Sequence, residues 1–242
     1  MPKLKVALAG REQIAEATYA FRLDLAGQPL PHKAGQTIDL TFPNMPFPDE
    51  TGNRRTFSIA SAPGSAALLF ATRFRGSGFK RSLIEAPLGT ELDLDGPYGS
   101  FTLPGKSTDA VLLAGGIGIT PFRAMVEDVR ERSLQHTLTL IHSNRTPEEA
   151  PFLRELMAWA GGAERFAYIP AMTRSEAAKQ PWHGEKRRVD AESLRAWLPR
   201  GERTATVHYV AGPEGFVRGA AEALKAAGVD EDQIRTEEFP GY

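Results

Sequence analysis

The sequence predicts a β + α/β protein, in which an antiparallel β-barrel is followed by a doubly wound parallel sheet. Short apolar or alternating runs, separated by Pro, Gly and Asn, fill residues 3–103, a pattern typical of a small barrel or sandwich. From Asp109 onwards strand-like and helix-like runs alternate, which is typical of a parallel sheet with helices on both faces. A glycine-rich turn follows the first of these later strands. We therefore expect one domain over residues 1–104 and a second over residues 108–242.

Turn residues divide the first part into short strands. The expected strands are Leu4–Ala9, Thr18–Leu25, Thr37–Phe42, Arg55–Ser61, Leu68–Phe74 and Glu91–Leu94. One helix is expected over Phe79–Glu85, and the composition of Leu103–Asp109 is typical of a linker.

In the second part, apolar runs of strand length alternate with amphipathic runs of helix length. The expected strands are Ala110–Ala114, Thr137–His142, Arg165–Pro170, Thr206–Ala211 and Gln233–Glu237. The expected helices are Pro121–Arg132, Pro147–Ala160, Ala191–Trp197 and Glu214–Ala227.

The glycine-rich turn lies between an apolar strand that begins at Val111 and a helix that begins near Pro121. Free N–H groups at such a helix start favour a phosphate. The dinucleotide fingerprint G-x-G-x-x-G is only partly present, because Gly116 and Gly118 are followed by Pro121 at the third glycine position. A pyrophosphate site and a purely structural turn are therefore both compatible with this stretch.

Composition excludes several function classes. The 242 residues carry a formal net charge of −1, and no lysine/arginine block is present, so nucleic-acid binding is not expected. No cysteine occurs, which excludes disulfides, thiolate zinc sites and cysteine-ligated iron–sulfur clusters within this sequence. The five histidines lack metal-ligand spacing, so no metal site is expected. No apolar run approaches the roughly 20 residues of a membrane span, and the first residues lack a signal-peptide core, so a cytoplasmic location is expected.

Four stretches, in order, resemble motifs of the ferredoxin–NADP reductase family. They are Arg55–Ser58 (its R-x-Y-S flavin motif), Gly76–Leu83 (its flavin-phosphate turn, followed by the barrel-closing segment Leu94–Phe101), Ala114–Pro121 (its nucleotide loop), and Val210–Phe216 with Glu237–Tyr242 (its closing motifs). The order and spacing match across essentially the whole chain. The resemblance implies a flavin-binding barrel, a nucleotide-binding α/β domain and the cofactors FAD and NADPH or NADH.

Within the flavin motif, the resemblance assigns Arg55 to the flavin diphosphate, onto which a guanidinium can fork. Phe57 replaces the usual tyrosine, so its ring can cover the flavin edge without a phenolic hydrogen bond. Ser58 falls at the position that approaches flavin N5. Thr56 belongs to the same motif, and Ile59 would pass the flavin ring with its backbone groups.

The second flavin contact is expected at the start of the helix near residue 79. Its consecutive N–H groups, together with the positive charge of its first turn, would attract a phosphate. The residues assigned to this contact are Gly78, Phe79, Lys80, Arg81 and Ser82.

For the nucleotide, the resemblance implies contacts at the ends of the parallel strands. The residues assigned to it there are Gly116, Gly118, Thr120, Pro121, Gly212, Pro213 and Phe216. Arg145 follows the second strand, where no acidic residue is present to bind a ribose 2′-hydroxyl, and Arg174 offers a second cation. Both favour NADPH over NADH without excluding NADH.

The C-terminal residues complete the expected site. Phe239 or Tyr242 would stack on the flavin, or else pack on the surface, and Glu237 or Glu238 would lie near the nicotinamide carboxamide. Strand alternation indicates that only one of the two glutamates faces inward. The expected catalytic residues are Ser58, Thr120, Glu237 and Tyr242.

The implied activity is hydride transfer from NAD(P)H to FAD, followed by electron transfer to an external acceptor. Because the sequence ends at Tyr242 and has no cysteine, we expect this acceptor to be a separate molecule: a ferredoxin, a flavodoxin, an oxygenase iron–sulfur component or a small acceptor. Two alternatives stay open. One is a flavin reductase that uses flavin as a substrate, and the other is a non-catalytic flavin-binding electron-transfer or regulatory subunit.

Overall fold

Six antiparallel strands form the first sheet of the protein. The computed structural model describes residues 3–105, 108–198 and 206–239. The elements of this part are β1 (Leu4–Ala15), β2 (Thr18–Asp24), β3 (Thr37–Thr41), β4 (Arg54–Ser58), β5 (Leu68–Arg73), α1 (Gly78–Glu85) and β6 (Glu91–Tyr98). The strand order is β4-β3-β6-β1-β2-β5. An antiparallel bridge between Ile59 and Phe70 joins the two edge strands, so the sheet closes into a barrel.

Five parallel strands form the second sheet, in the order β11-β10-β7-β8-β9. Its elements are β7 (Asp109–Gly115), α2 (Ile119–Glu131), β8 (Thr137–Asn144), α3 (Leu153–Ala160), β9 (Phe166–Met172), α4 (Ala191–Trp197), β10 (Val207–Gly212), α5 (Glu214–Ala226) and β11 (Ile234–Glu238). Alternate residues of β7 belong to different cores. Leu112 packs with α2 and α3 residues, whereas Val111 and Leu113 pack with α4 and α5 residues. Helices therefore cover both faces, and the predicted fold class is confirmed.

The segment before α3 differs from the predicted helix over Pro147–Ala160. Residues Pro147–Glu149 form a separate 3₁₀ turn, and α3 begins only at Leu153. Phe152 has φ of 58°, a left-handed conformation that a continuous α-helix cannot contain. The prediction of one helix is therefore wrong for its first turn and a half.

Aromatic packing joins the two sheets. The Phe101 ring lies 5.8 Å from the Phe122 ring and 5.2 Å from the Tyr209 ring, centroid to centroid. The buried Tyr209 hydroxyl donates to the Thr102 carbonyl at 2.8 Å. These contacts tie the segment that leaves the barrel to the middle of the parallel sheet. Within the described ranges, no helix combines the length and apolar character needed to cross a bilayer.

Candidate functional site

A cavity of about 670 Å³ opens between the barrel and the carboxyl edge of the parallel sheet, and we call it the central cavity. Barrel residues form one wall, and residues that follow β7 or end β11 form the other. Its lining consists of Thr37, Asp39, Thr51, Arg54, Arg55, Thr56, Phe57, Ser58, Ala71, Ser77, Lys80, Ile117, Thr120, Glu237, Glu238 and Phe239. Residues from four separate sequence motifs therefore meet in one place.

Ser58 and Thr120 reach the central cavity from opposite walls. Ser58 ends β4, where it pairs with Thr37 of β3, and it is buried. Thr120 is the second residue of α2, and its hydroxyl donates to the Ile117 carbonyl at 3.1 Å. The cavity thus brings together one hydroxyl from the barrel and one from the start of α2, as their predicted roles require.

Glu237 is half-buried and is the less exposed member of the C-terminal glutamate pair. It pairs with Ala211 in β10, and its Oε2 is buried without a hydrogen-bond partner among the described residues. Burial raises the pKa of Glu237 to about 7, from an ordinary 4.5, because a carboxylate loses its hydration there. Glu238 also lines the cavity but is exposed. Glu237 can therefore hold or release a proton near neutral pH.

Three cations line the barrel wall of the central cavity, of which Arg54 pairs with Asp39 at 2.6 Å. The Arg55 guanidinium donates to the Thr51 carbonyl at 2.8 Å and lies 5.4 Å from the centre of the Phe79 ring. The Lys80 ammonium donates to the Arg73 carbonyl at 2.9 Å. Burial, together with the charges of Arg75 and Arg55, lowers the pKa of Lys80 to about 8. Positive charge concentrated in this way favours an anionic ligand.

Asp49 was not predicted from the sequence, yet it already holds the start of α1. Its carboxylate accepts from the Gly78 N–H and lies 3.6 Å from the Arg55 guanidinium. Hydrogen bonds from Thr51 and Gly78 hold the pKa of Asp49 below its usual range. A carboxylate therefore makes the two contacts, to a helix N-terminus and to an arginine, that a phosphate group would make.

The consecutive free N–H groups expected at the start of α1 are mostly engaged. The Lys80 N–H donates to the Ser77 hydroxyl at 3.4 Å, and the Arg81 N–H donates to the Ser77 carbonyl at 2.9 Å. The Gly78 N–H is bonded to Asp49 as described. What α1 offers to the central cavity is thus the side chains of Ser77 and Lys80.

Three of the residues on α1 that are predicted to contact the flavin have side chains that are held elsewhere, and their predicted contacts through backbone groups stay predictions. Phe79 is fully buried in the barrel core. The buried Ser82 hydroxyl accepts from the Phe47 N–H at 3.1 Å, so it stabilises a loop. The Arg81 side chain pairs with Glu85 at 2.7 Å and covers the Phe47 ring. None of these three side chains lines the central cavity, because each is held by a partner elsewhere.

Ile59 and Phe57 are largely engaged within the barrel. The Ile59 side chain is fully buried, and its N–H donates to the Gln36 carbonyl at 2.9 Å; the expected contact of its backbone with the flavin stays a prediction. Phe57 lines the cavity, but its ring packs 4.7 Å from Phe70 and is 5% exposed. The ring can therefore present only an edge to a ligand.

The glycine turn after β7 has a structural reason for its composition. A Cβ on Gly118 would lie 2.1 Å from the Ala211 carbonyl oxygen, and one on Gly115 would lie 2.5 Å from the Phe216 ring. Phe216 thus packs against the turn and is not among the residues that line the central cavity; its expected contact with the nucleotide stays a prediction. Gly116 has φ of +53° and open space beside it, so the turn presents bare backbone on that side. Both readings left open by the sequence, close packing and ligand approach, are compatible with these positions.

The other glycine and proline residues assigned to the nucleotide lie at the starts of α2 and α5 and at the end of β10. Pro121 is buried in α2. Pro213 caps α5, and the Gly212 carbonyl accepts from the Phe239 N–H at 2.9 Å, which places Phe239 beside the cavity. Tyr242 lies outside the described residues.

Arg145 and Arg174 lie together, away from the central cavity lining. They follow β8 and β9 at the carboxyl edge of the sheet, and both are exposed. The Arg174 N–H donates to the Arg145 carbonyl at 2.8 Å. The structure therefore brings the two predicted 2′-phosphate ligands to one surface.

His142 is a site residue that the sequence did not reveal. It is fully buried; Nε2 lies 2.9 Å from the Gly116 carbonyl oxygen and Nδ1 lies 3.0 Å from the Tyr168 hydroxyl. A carbonyl can only accept, so Nε2 carries the proton and the tyrosine donates to Nδ1. Burial lowers the pKa of His142 to about 4. His142 is therefore neutral, and its hydrogen bond to the Gly116 carbonyl stabilises the glycine turn.

Sequence comparisons place this architecture among oxidoreductases. Residues 112–222 match the family described as the oxidoreductase NAD-binding domain. The toluate 1,2-dioxygenase electron transfer component of Pseudomonas putida is 26% identical over 97% of this chain and 67% of its own length. The propane 2-monooxygenase reductase component of Rhodococcus jostii is 28% identical over 86% of this chain and 55% of its own length. The phenol hydroxylase P5 protein of Acinetobacter pittii is 30% identical over 90% and 60%. The chain thus spans about half to two thirds of these relatives.

Solved structures share the fold over nearly the whole chain. The Amycolatopsis cytochrome P450 reductase GcoB superposes with a TM-score of 0.81 at 22% identity, covering 98% of this chain and 70% of that one. A ferredoxin NADP+ reductase from Neisseria gonorrhoeae, solved with bound FAD and NADP, gives a TM-score of 0.78 at 22% identity, covering 98% and 99%.

Proposed function

Because the chain has the ferredoxin–NADP reductase-like fold that its motifs predict, and carries an oxidoreductase NAD-binding domain over residues 112–222, we propose that it is an NAD(P)H-dependent flavoprotein reductase. It takes a hydride from NAD(P)H onto FAD and passes the electrons to an external acceptor. The observation that carries this proposal is the central cavity, where Ser58, Thr120 and Glu237 meet. We further propose that residues 1–104 bind the flavin and residues 108–242 the nucleotide.

The barrel wall fits a flavin nucleotide in charge and shape. Arg55 and Lys80 would supply positive charge for the diphosphate. The apolar side chains of Phe57 and Ala71 in the lining suit a planar ring. Bound FAD would supply the hydride-accepting N5 and the ability to release electrons singly or in pairs. The chain's own contribution is to hold the ring so that the Ser58 hydroxyl lies at N5.

The opposite wall would position the nicotinamide. Thr120 stands at the start of α2, and the bare backbone at Gly116 allows close approach of a pyrophosphate. Glu237 would donate or accept a hydrogen bond at the carboxamide through Oε2, since its raised pKa makes both protonation states accessible near neutral pH. Catalysis then depends mostly on holding the nicotinamide carbon that donates the hydride within roughly 3–3.5 Å of the flavin nitrogen that accepts it.

NADPH is the proposed nucleotide, with NADH as the alternative. Arg145 and Arg174 are exposed next to each other at the strand ends, where two guanidinium groups can bind a 2′-phosphate. For the acceptor, we propose an oxygenase component, because relatives are named electron transfer and reductase components of dioxygenases and monooxygenases. Ferredoxin, flavodoxin and small acceptors are the other candidates.

One observation favours a second candidate, a flavin reductase that releases its flavin. Asp49 holds both Gly78 and Arg55, so an incoming diphosphate must displace a carboxylate that is already bound there. Asp49→Asn retains an oxygen for the Gly78 N–H but removes the charge. We expect this variant to bind FAD several-fold more tightly, measured by quenching of flavin fluorescence; equal affinity would show that Asp49 does not compete.

The proposal is tested by the visible absorption spectrum of the purified protein, followed by anaerobic addition of NADPH and then NADH. A flavin spectrum that is bleached by one nucleotide is the expected result. Arg55→Gln should weaken FAD binding by roughly 10- to 100-fold, the usual effect of losing a charged hydrogen bond. Arg22→Gln, which changes an exposed barrel arginine outside the lining of the central cavity, is the matched control. A protein that takes up no added FAD would refute the proposal.

A further inference from the structure

Arg123 is a buried cation outside the central cavity. It lies on α2, is 6% exposed, and its Nη1 donates to the Ala60 carbonyl at 2.5 Å. Glu127 accepts from it at 3.0 Å and Glu155 at 2.7 Å. Burial alone would lower the pKa of Arg123, but the two glutamates outweigh it and raise the pKa. The guanidinium is therefore held charged, in one orientation, against a barrel carbonyl.

Glu127 makes a second connection to the barrel, one helical turn further along α2. Its Oε2 accepts from the Ala62 N–H at 2.6 Å, while the same carboxylate pairs with Arg123. Two successive turns of α2 thus bind two backbone groups of the segment that continues β4. We call Arg123 and Glu127 with these two bonds the α2 clamp.

The α2 clamp lies close in sequence to the two residues whose hydroxyls reach the central cavity. Thr120 precedes Arg123 by three residues, so both occupy the same face of the helix. Ser58 ends β4, and Ala60, whose carbonyl Arg123 binds, follows it by two residues. The α2 clamp therefore joins α2 to the barrel two residues from Ser58 and three residues from Thr120.

We propose that the α2 clamp sets the separation of Ser58 and Thr120 across the central cavity, and with it the distance between flavin and nicotinamide. This inference rests on the proposed function. Arg123 is a positioning residue, because it touches neither proposed cofactor site. Rates of transfer between bound groups fall steeply with small displacements, by about 100-fold for 1 Å.

The test compares flavin reduction by NADPH or NADH in Arg123→Met, Arg123→Lys and Glu127→Gln. Reduction is followed by anaerobic stopped-flow absorbance, and FAD and NADP+ affinities are titrated separately. We expect Arg123→Met to slow reduction by about 100-fold, with both affinities within about threefold of wild type and a weaker nicotinamide–flavin charge-transfer band. Arg123→Lys should restore part of the rate. The control is Arg132→Met, which removes an exposed arginine that pairs with Asp128 at the C-terminal end of the same helix.

Hydrogen exchange at the Ala62 amide gives a readout that needs no substrate. Glu127→Met, which removes the acceptor of the Ala62 N–H, should accelerate this exchange while leaving the amides of β1 unchanged. Wild-type reduction rates in Arg123→Met, or unchanged exchange at Ala62, would overturn the clamp while the proposed function stands. If the FAD and NADP+ affinities of Arg123→Met fall as much as its reduction rate, the substitution simply destabilises the protein, and this result would overturn the clamp too. If wild type itself is not reduced by either nucleotide, the proposed function fails instead, and the exchange result still decides whether the clamp exists.

Discussion

Replacing Glu237 by Gln is expected to stabilise the protein in alkaline solution and to alter its stability little in acid. In the folded protein the pKa of Glu237 is raised to about 7 by burial, from an ordinary 4.5. A raised carboxylate pKa means that folding favours the protonated form. The loss of folding free energy caused by Glu237 is therefore small below the unfolded pKa, grows as pH rises from 4.5 to 7, and is fully present above 7.

The size of the effect follows from the shift. Each pKa unit corresponds to 1.36 kcal/mol, so the ionised side chain costs about 3 kcal/mol at pH 8 and under about 1 kcal/mol at pH 5. Glutamine has nearly the shape of the protonated acid and never ionises. For a chain of this length, about 3 kcal/mol raises the unfolding midpoint by about 6–12 °C.

The assay is thermal unfolding of wild type and Glu237→Gln across this pH range, with an infrared titration of the protonated carboxyl band as a direct check. Glu238→Gln is the control, since it makes the same chemical change one residue away at an exposed position. An equal effect of Glu237→Gln at pH 5 and pH 8 would refute the reasoning, because a hydrogen-bonding or packing change does not depend on this ionisation.

Three further predictions concern the second sheet. Arg145→Ala should raise the KM for NADPH about tenfold while leaving the KM for NADH unchanged; parallel changes in steady-state kinetics would argue against a 2′-phosphate contact. Gly118→Ala should lower the free energy of unfolding by more than about 2 kcal/mol, because its Cβ would lie 2.1 Å from the Ala211 carbonyl oxygen. Urea unfolding measures this, and a wild-type midpoint would mean that the turn can move away. Tyr168→Phe should cost about 1–2 kcal/mol by leaving His142 Nδ1 without its donor; the same urea assay checks it, and no loss would indicate that water replaces the hydroxyl.

The parts of the site that could be predicted from the sequence are motifs whose residues lie close together along the chain. Arg55 and Ser58 stand three residues apart in one strand, and Thr120 follows a glycine turn whose pattern is visible within eleven residues. Such stretches bring their groups together through the standard geometry of a strand, a turn or a helix start. The structure then places them in one cavity, and their roles in binding stay predictions.

The residues that the sequence did not reveal depend on distant partners. Asp49 bonds a helix 29 residues later, His142 bonds a turn 26 residues earlier, and Arg123 bonds a carbonyl 63 residues earlier. No local spacing connects such pairs, so each looks like an ordinary charged or strand residue in the sequence. The broken helix before α3 has the same origin, since the left-handed Phe152 has no signature in its neighbours.

The close approach of Gly118 to Ala211 has a consequence for how this protein can be altered. The two backbones pack together with no side chain between them, so a substitution in the turn must also move β10. A foreign turn grafted to change the proposed nicotinamide coenzyme would therefore disturb the sheet as well. The exposed arginines at the ends of β8 and β9, which are the proposed 2′-phosphate ligands, are free of that restriction and are the practical place to test a change of coenzyme.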